Sequence, residues 1–511
     1  MSGSYGYITL ADLRSQLLQR LQDSTGSFTS TSEANVYINE ALRVLNAQTL
    51  QWNTVYDLNF GNGDTWKSLA GDGSPRERTV TDTDLYTQME YMLMEPATGG
   101  TWTGTAMYNI GILQAALQYR RDELLLLSAA NTGRLMPSSP VLSVTTLLPD
   151  STLDVLRVRW LPIDSTPIYD NTPTAAQIAA ISAQSSYLAN ILAAGPTSDA
   201  VLSTQIEGIT QGLQSVNIQL GTGVIPTATS MPYTLGREDV TTAIAFSPTA
   251  TIAPGAPESW LITSNPPLSF DVNRPPNQPG TWDLLVSFAG LQLAPPATTI
   301  FGLPNDWCWV AMYGALYDVL STSPEGRDSA RAQYCLQRYE QGKKAIQIMP
   351  WLLEASVASI SVDTPSVTEM DAWLQDWEDR QPAGDPLIVV GAVDYVALAP
   401  FNTTTNSVQA VLKVIQNAPI PTSDGDYIQL AKDGVDAVLN YAQHLASFKM
   451  GGQDFALTVP LFEQFESYCR KKNAQYAALG TFRPQMVMQG NRRDDFDPRF
   501  LPQEENAKQT R

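Results

Sequence analysis

The sequence predicts an α+β protein: mainly a helical bundle built from helical hairpins, with inserted β-strand segments and an inserted helical hairpin. Three observations predict this fold class. Apolar residues recur at helical spacing near both ends of the chain, glycine and proline clusters interrupt the segments between them, and one long stretch near the middle has almost no charge. A length of 511 residues also allows roughly two to four domains.

The amino-terminal part predicts a pair of helices. Thr9 and Asp12 form a capping pattern ahead of apolar residues spaced four apart, which are Leu13, Leu17 and Leu21. After Gly26, the run Ser30-Thr31-Ser32-Glu33 caps a second helix, whose apolar stripe consists of Ala34, Ile38, Ala41 and Leu45. Trp52 follows this helix, and we expect it to fill the core between the pair and the next elements.

The following hundred or so residues alternate between turn-rich and regular patterns. Residues 56–95 are predicted to form short strands and loops because turn residues are dense there, as in Gly61-Asn62-Gly63-Asp64. Residues 104–131 return to helical character, and Gly133 is the expected C-cap of that helix. Residues 153–162 are predicted as a strand, because apolar residues alternate there with one slip before Val158.

The middle of the chain contains the two predicted insertions. Residues 172–221 are rich in Ala, Gln, Ser and Ile, and Gly195-Pro196 separates two runs with helical spacing, which predicts a helical hairpin. Because an uncharged exposed helix is poorly soluble, we expect this hairpin to be buried against another subunit. Residues 253–305 are proline-rich and are predicted as edge strand and extended loop, with one clear strand from Trp282 to Ala289.

An order of elements occurs twice in the second half of the chain. A strand, a proline turn, a helix, a loop and an aromatic helix are predicted from Trp282 to Ile346, and again from Ser407 to Cys469. In the first copy the second helix places four residues on one face, which are Cys335, Tyr339, Gly342 and Ile346. Because solenoids generally need three or more repeats, this duplication predicts two helical hairpins packed within one helical domain.

These segments divide the chain into five predicted regions: 1–165, a helical hairpin with a β/helix segment; 166–235, the inserted low-charge hairpin; 236–303, the proline-rich β segment; 304–484, the helical region with the duplicated unit; and 485–511, an extended tail. The tail is predicted to bind a partner as an extended peptide, the alternative being a disordered end. Its candidate partner-binding residues are Arg492, Arg493, Asp494, Asp495, Phe496, Arg499 and Phe500.

The charge balance limits the partners. The chain has 31 Lys and Arg against 51 Asp and Glu, for a formal net charge of −20. Because sequence-independent nucleic-acid binding draws its affinity from cations, we predict at most non-specific contact with DNA. An acidic wall can still surround DNA without adhering to it, and acidic solubility is the alternative explanation. No apolar run reaches the roughly 20 residues that span a bilayer, so no membrane partner is expected. The first residues lack the pattern of a secretory signal, which predicts synthesis in a cytosol.

The sequence predicts no enzyme, no cofactor and no metal. The one histidine, His444, has no nucleophile pattern around it and is expected to be a surface or half-buried structural residue. Asp424-Gly425-Asp426 lacks the rest of a calcium loop and is predicted to be a turn, as is Asn62-Gly63-Asp64. The three cysteines lack zinc-ligand spacing and are predicted to be buried, reduced thiols: Cys308, Cys335 and Cys469.

Three stretches carry a family resemblance. They are Phe28-Thr29 with residues 34–42 (ANVYINEAL) and Trp52; residues 303–307 (LPNDW) with 331–334 (RAQY) and 338–340 (RYE); and residues 442–449 (AQHLASFK) with Gly451-Gly452 and 462–465 (FEQF). These stretches resemble the virion neck or head–tail connector (adaptor) proteins of tailed bacteriophages. The chain is much longer than small connectors, which leaves adaptor, lower neck ring and tail hub open.

The resemblance implies a structural role in a virion. Members of this family are helical bundles that oligomerise, typically as a twelve-fold ring below the portal, so a homo-oligomer of dodecamer type is expected. Such rings extend the DNA channel and provide a platform for tail proteins, which places the chain at the head–tail junction or upper tail. They often insert their carboxyl-terminal tail into the portal, which would give Arg492 to Phe500 a role.

Two other classes of function remain open. A glycan-binding or glycan-cleaving tail protein could use paired carboxylates that are distant along the chain, with a platform of Trp66, Trp102 and Trp160, although core packing is the plainer use of these tryptophans. A scaffold in a non-viral assembly is the third class.

Overall fold

The computed structural model describes a helical core made by both ends of the chain, with several β-sheets formed mainly by the middle. The described residues are 7–61, 66–71, 73–94, 108, 110–139, 145–162, 233–238, 256–262, 269–276, 280–294, 297–322, 328–347, 352–357, 360–362, 364–373, 377, 388–391, 395–399 and 407–479. The hairpin predicted over 172–221 and the tail over 485–511 lie outside these residues.

The helices and strands of the described residues have the following bounds. The helices are α1 (Leu10–Arg20), α2 (Thr31–Thr49), α3 (Asp82–Leu93), α4 (Ile110–Ser128), α5 (Cys308–Thr322), α6 (Ser329–Ile346), α7 (Val367–Trp373), α8 (Lys432–Ser447), α9 (Gly452–Ala456) and α10 (Val459–Leu479). The strands are β1 (Ile8–Thr9), β2 (Asn53–Phe60), β3 (Trp66–Ser68), β4 (Thr132–Leu135), β5 (Ser138–Ser139), β6 (Thr145–Leu147), β7 (Thr152–Pro162), β8 (Tyr233–Thr234), β9 (Gly236–Arg237), β10 (Ser259–Leu261), β11 (Ser269–Val272), β12 (Gly280–Phe288), β13 (Leu352–Val357), β14 (Ile360–Val362), β15 (Ile388–Gly391), β16 (Tyr395–Ala399), β17 (Val408–Ile415) and β18 (Tyr427–Ile428).

The predicted amino-terminal helix pair is confirmed. The Thr9 hydroxyl caps α1 by accepting the Asp12 backbone N–H at 3.2 Å, and the Ser30 hydroxyl caps α2 by accepting that of Glu33 at 3.2 Å. Each cap satisfies an amide that the first helical turn leaves without an intrahelical partner. Trp52 is buried in the helical core, as expected.

The two predicted hairpins lie in the same helical core. Helices α5 and α6 form one, α8 and α10 form the other, and both pack with α1 to α4, so the ranges 1–165 and 304–484 share one core. The predicted face of α6 is buried along its length. A Cβ atom on Gly342 would lie 2.5 Å from Cγ2 of Val310, so α5 and α6 approach each other closely because this residue has no side chain.

Two local predictions are wrong. Residues 82–93 form α3 rather than strand or loop, because Thr81 and Asp84 form a capping box and buried Leu85, Met89 and Met92 hold the helix on the core. Helix α4 is confirmed, but Gly133 is not its C-cap; Ala129 takes the left-handed conformation there, with φ 51°. Gly133 lies in β4, where a Cβ would meet the Phe288 ring at 2.6 Å.

The proline-rich segment supplies inner strands, which corrects its prediction as edge strand. Strand β12 lies between β7 and the β4–β5 side of one sheet, in the order β4-β12-β7-β8. Strands β10 and β11 are the inner strands of β6-β11-β10-β9. Pro257 and Pro275 fall outside the strands, so they do not interrupt the ladders. The predicted strand from Trp282 is confirmed.

The predicted slip in β7 is also confirmed. Leu285 pairs with Arg157 and the next residue, Val286, pairs with Val155, which leaves Leu156 as an extra residue. The bulge keeps Val155 and Val158 on the buried side. Two further sheets, β14-β13-β17-β2 and β15-β16-β3, share one apolar cluster, and the other face of β15-β16-β3 packs in a second cluster with Met370 and Trp377. The chain is therefore an α+β protein, and its sheets have cores of their own, which a description as mainly a helical bundle does not cover.

Candidate assembly surface

Helix α4 has two apolar faces. Its inner face is buried against the core, through Leu113, Leu117, Leu124 and Leu125. Its outer face exposes Ile112 (56%), Tyr119 (63%) and Leu126 (37%), which are spaced seven residues apart. A seven-residue apolar repeat lies along one side of a helix and is typical of a helix that packs against a partner.

The charged residues of α4 are occupied on its sides. Arg120 pairs with Asp318 of α5 at 2.6 Å and with Glu123 at 2.9 Å, and Glu123 also pairs with Lys343 of α6 at 2.6 Å. The buried Arg121 donates to the Leu291 carbonyl at 2.6 Å and pairs with Asp122 at 3.0 Å. The four charged residues of α4, at positions 120–123, thus bond to neighbouring residues and hold the helix in place. None of them belongs to the outer stripe of Ile112, Tyr119 and Leu126.

A groove runs along this outer face. It is lined by Gly111, Gln114, Ala115, Gln118, Tyr119, Asp122 and Gln292. One wall is the segment after β12, which α4 holds through its side chains: Nε2 of Gln114 donates to the Leu293 carbonyl, and the Leu293 N–H donates to Oε1 of Gln118 at 3.3 Å. We call the groove and the exposed stripe together the α4 surface. The groove itself is lined largely by polar side chains, and it lies on the same helix as the exposed apolar stripe, which is the part of this surface that commonly marks an interaction site.

The interior of the helical core contains a buried cation. Arg338 of α6 is 1% exposed and donates a hydrogen bond of 3.0 Å to the Tyr441 hydroxyl of α8. Its guanidinium carbon lies 4.6 Å from the ring centroids of both Trp309 and Phe462. Cation–π contacts of this kind are strongest where water is excluded, so Arg338 acts as a fixed link between the two hairpins.

His444 is fully buried, which corrects the expectation of a surface or half-buried residue. Its Nδ1 lies 2.9 Å from the Thr458 hydroxyl and its Nε2 lies 2.9 Å from the Tyr334 hydroxyl, while Phe455 and Phe462 stack on its ring. Burial, with the nearby positive charge of Arg338, lowers the pKa of His444 to about 3. The imidazole is therefore neutral at physiological pH.

Two buried carboxyls lie where α2 meets the start of α5. Asp306 accepts a hydrogen bond from Asn46 at 2.6 Å and another from the Ala418 N–H at 3.1 Å, which ties the loop after β17 to the helices. Burial raises the pKa of Asp306 to about 6 and that of Glu40 to about 7. These groups change charge near neutrality, which makes the core sensitive to pH.

A third buried charge cluster lies in the sheet that contains β12. Asp283 is 1% exposed and pairs with Arg134 at 2.6 Å, with Arg159 at 3.2 Å and with Arg157 at 3.6 Å. Burial opposes ionisation of Asp283, but the hydrogen bond from Arg134 and the surrounding positive charges hold the pKa of this carboxyl below its usual value. Arg157 also reaches Asp371 at 3.6 Å, which links this sheet to α7.

The candidate residues singled out from the sequence fall in different places. The seven predicted partner-binding residues, Arg492, Arg493, Asp494, Asp495, Phe496, Arg499 and Phe500, lie outside the described residues, as does Trp102. Trp160 is buried against Trp282 with ring centroids 4.6 Å apart, and Trp66 is half-buried against Trp377. Core packing is therefore confirmed for Trp160. Trp66 also lines a small cavity with Tyr395 and Arg134, so its use stays a prediction.

The turn predicted at Asp424-Gly425-Asp426 and the predicted thiols are confirmed, whereas the turn predicted at Asn62-Gly63-Asp64 lies outside the described residues. Asp426 accepts the Thr422 and Ser423 N–H groups at 2.8 Å, and Asp424 pairs with Arg14 at 2.8 Å. All three cysteines are buried and free. Within the ranges given above, no group of three or more His, Cys, Asp or Glu is placed to hold a metal ion. None of the described helices is long and apolar enough to cross a membrane.

The α4 surface was missed from the sequence, although the repeat of Ile112, Tyr119 and Leu126 is visible there. Together the fold and this surface define an α+β protein with an apolar helix face turned to solvent. No protein-family model matches the chain, and a search of curated proteins finds no similar sequence.

Proposed function

We propose that this chain is a non-enzymatic structural virion protein that forms an oligomeric ring at the head–tail junction. In this proposal the ring docks to the portal protein, supports tail proteins and extends the DNA channel toward the tail. The seven candidate residues of the tail, which lie between Arg492 and Phe500, serve as a contact with a partner.

The observation that carries the proposal is the α4 surface. Ile112, Tyr119 and Leu126 expose an apolar repeat on a chain whose net charge is −20. Burying such a stripe favours association by roughly 25 cal/mol for each Å² of apolar surface removed from water. A ring needs a heterologous contact, in which the α4 surface of one copy packs against a different surface of the next copy, because a patch that packs on its own counterpart closes as a two-fold dimer.

The net charge supports the same proposal. The chain has 51 acidic against 31 basic residues. A ring channel lined by negative charge repels the DNA phosphates, so DNA can pass through it without adhering. The buried charge clusters at Arg338 and Asp283 favour a rigid subunit, because each has defined partners on more than one element.

The test is imaging of the purified protein with and without its portal. Negative-stain images or mass photometry should show rings, either alone or on the portal. A Tyr119→Ser/Leu126→Ser variant should lose assembly, while Val55→Ser, a change at another exposed apolar residue, should keep it. A monomer that ignores the portal and cleaves or binds a polysaccharide would refute the proposal and favour the glycan-directed alternative.

A further inference from the structure

We propose that the groove of the α4 surface binds the carboxyl-terminal segment of a second copy of this chain, with Phe496 and Phe500 as anchors. This inference rests on the proposed self-assembly and names the contact that drives it.

The spacing of the anchors fits within the length of the groove. Gly111 and Asp122 are the first and last residues of α4 that line it, eleven residues apart, which corresponds to about 16 Å along the helix axis. Phe496 and Phe500 are four residues apart with Pro498 between them. Proline disfavours a helix and favours an extended chain of about 3.1 Å per residue, which gives about 12 Å between the two anchors.

The lining suits an extended aromatic peptide. Gly111 and Ala115 have little or no side chain and leave room for a phenyl ring, and Tyr119 provides an aromatic neighbour. Gln114 and Gln118 already bond Leu293 through one amide atom each, so their Oε1 and Nε2 atoms can bond the backbone of a docked peptide.

Charge favours this occupant and predicts its direction. Residues 485–511 contain five basic residues (Arg492, Arg493, Arg499, Lys508 and Arg511) and five acidic ones (Asp494, Asp495, Asp497, Glu504 and Glu505), so the whole net charge of −20 lies in residues 1–484. The neutral segment is therefore not repelled by the acidic body. Asp122 lies at the end of the groove nearer the carboxyl terminus of α4. Its Oδ1 already pairs with Arg121, and its Oδ2 can accept from Arg492 or Arg493, so the segment should run antiparallel to α4.

A second copy is favoured over the chain's own tail for two reasons. The exposed apolar face continues past the groove at Leu126 and Leu127, and two phenyl rings alone do not cover it. The body of a second copy, brought in with its tail, would cover the rest. A contact between a tail and a groove is also heterologous: each copy offers one of each, which generates a ring when the rotation closes.

The experiment uses two variants of the full chain, one that blocks the groove and one that removes the anchors of the tail. Ala115→Arg fills the groove, and Phe496→Ser/Phe500→Ser removes the anchors. Ala330→Arg is the matched control, because Ala330 is an exposed alanine on α6 outside the groove. A labelled peptide of residues 485–511 is titrated into three proteins that all carry Phe496→Ser/Phe500→Ser. The protein with no further change and the one with Ala330→Arg should bind the peptide with equal affinity. The one with Ala115→Arg should bind it at least tenfold more weakly.

Mixing the two disabled proteins identifies the occupant. Native mass spectrometry should show each variant as a monomer alone and a one-to-one complex in the mixture, because one intact groove then meets one intact tail. Peptide binding that ignores Ala115→Arg, or a mixture without a complex, would overturn the inference. A mixture without a complex, when the peptide still binds the groove, would assign the tail to the groove of its own chain. Tail-dependent portal binding that ignores Ala115→Arg would assign it to the portal.

Failure of the inference and failure of the proposed function are distinguishable. If both variants still form rings on the portal, the ring proposal stands and the tail–groove contact is wrong. If the tail binds the groove but no ring or portal complex forms, the contact stands and the proposed function is wrong. Circular dichroism and thermal unfolding of Ala115→Arg verify that the groove was filled without loss of the fold.

Discussion

Arg338 donates a hydrogen bond of 3.0 Å to the Tyr441 hydroxyl, and this bond joins helices α6 and α8. The two residues belong to different hairpins of the duplicated unit and are 103 residues apart in sequence. Since Arg338 is also enclosed by the rings of Trp309, Tyr313 and Phe462, the arginine links both hairpins through contacts that exclude water.

Arg338→Ala should lower the free energy of unfolding by about 3 to 5 kcal/mol, because it leaves a cavity among aromatic rings and removes the partner of Tyr441. Arg338→Met should cost less, since it keeps most of the volume. Denaturant unfolding followed by tryptophan fluorescence measures both. Arg470→Ala is the control: its pair with Glu466 is exposed, and the change should stay within about 0.5 kcal/mol. Equal costs for Arg338→Ala and Arg470→Ala would contradict the role of Arg338.

The buried His444 should make the protein less stable in mild acid. Its pKa is about 3 in the folded state against about 6.5 in an unfolded chain, so only the unfolded state takes up the proton as pH falls below 6.5. The contribution is present above pH 6.5 and should fall by about 2 kcal/mol between pH 7 and pH 5. His444→Gln should remove this part of the pH dependence. Identical slopes for the two proteins over that range would show that His444 is not the group responsible.

Glu40 should act in the opposite direction. Its pKa is about 7 in the folded state against about 4.5 when unfolded, so its contribution to stability is present below pH 4.5 and is lost as pH rises through 7. The loss should reach about 3 kcal/mol by pH 8. Glu40→Gln should be more stable than the parent at pH 8 and similar to it at pH 4.5. Glu463 is exposed, so Glu463→Gln serves as the control and should leave the free energy of unfolding unchanged at both pH values. If Glu40→Gln differs from the parent by the same amount at pH 4.5 and pH 8, the prediction is wrong.

Removal of Asp283 should destabilise the β12 sheet. Asp283→Ala leaves three arginines of neighbouring strands without their shared carboxylate, and loss of one partner from a buried pair costs about 3 to 5 kcal/mol. Trp160 and Trp282 lie in the core of the same sheet, so their fluorescence should report the change. Glu258→Gln removes an exposed pair with Arg274 and should cost less than about 1 kcal/mol. A similar small cost for Asp283→Ala would show that this carboxylate is not needed.

Local patterns were sufficient for many elements. The caps at Thr9 and Ser30 were readable because each depends on residues within one helical turn. The slip in β7 was readable because a bulge shifts the alternation of side chains along a single strand. Helix α3 was missed because the turn residues just before it outweighed the capping pattern at Thr81. The end of α4 was misplaced because Gly133 serves a contact with Phe288, which is distant in sequence.

The sequence by itself determined the α+β class, the order of the two hairpins, the acidic charge and the buried state of the cysteines. These properties follow from composition and from periodicities of two to four residues. Only the tertiary structure decided that His444 is enclosed, that Arg338 bonds Tyr441, that β12 is an inner strand and that the Ile112 side of α4 faces solvent. The physical reason is that each of these depends on which elements pack together in space. A local pattern can show that a residue is apolar or that a helix has two apolar faces, but not which partner covers it.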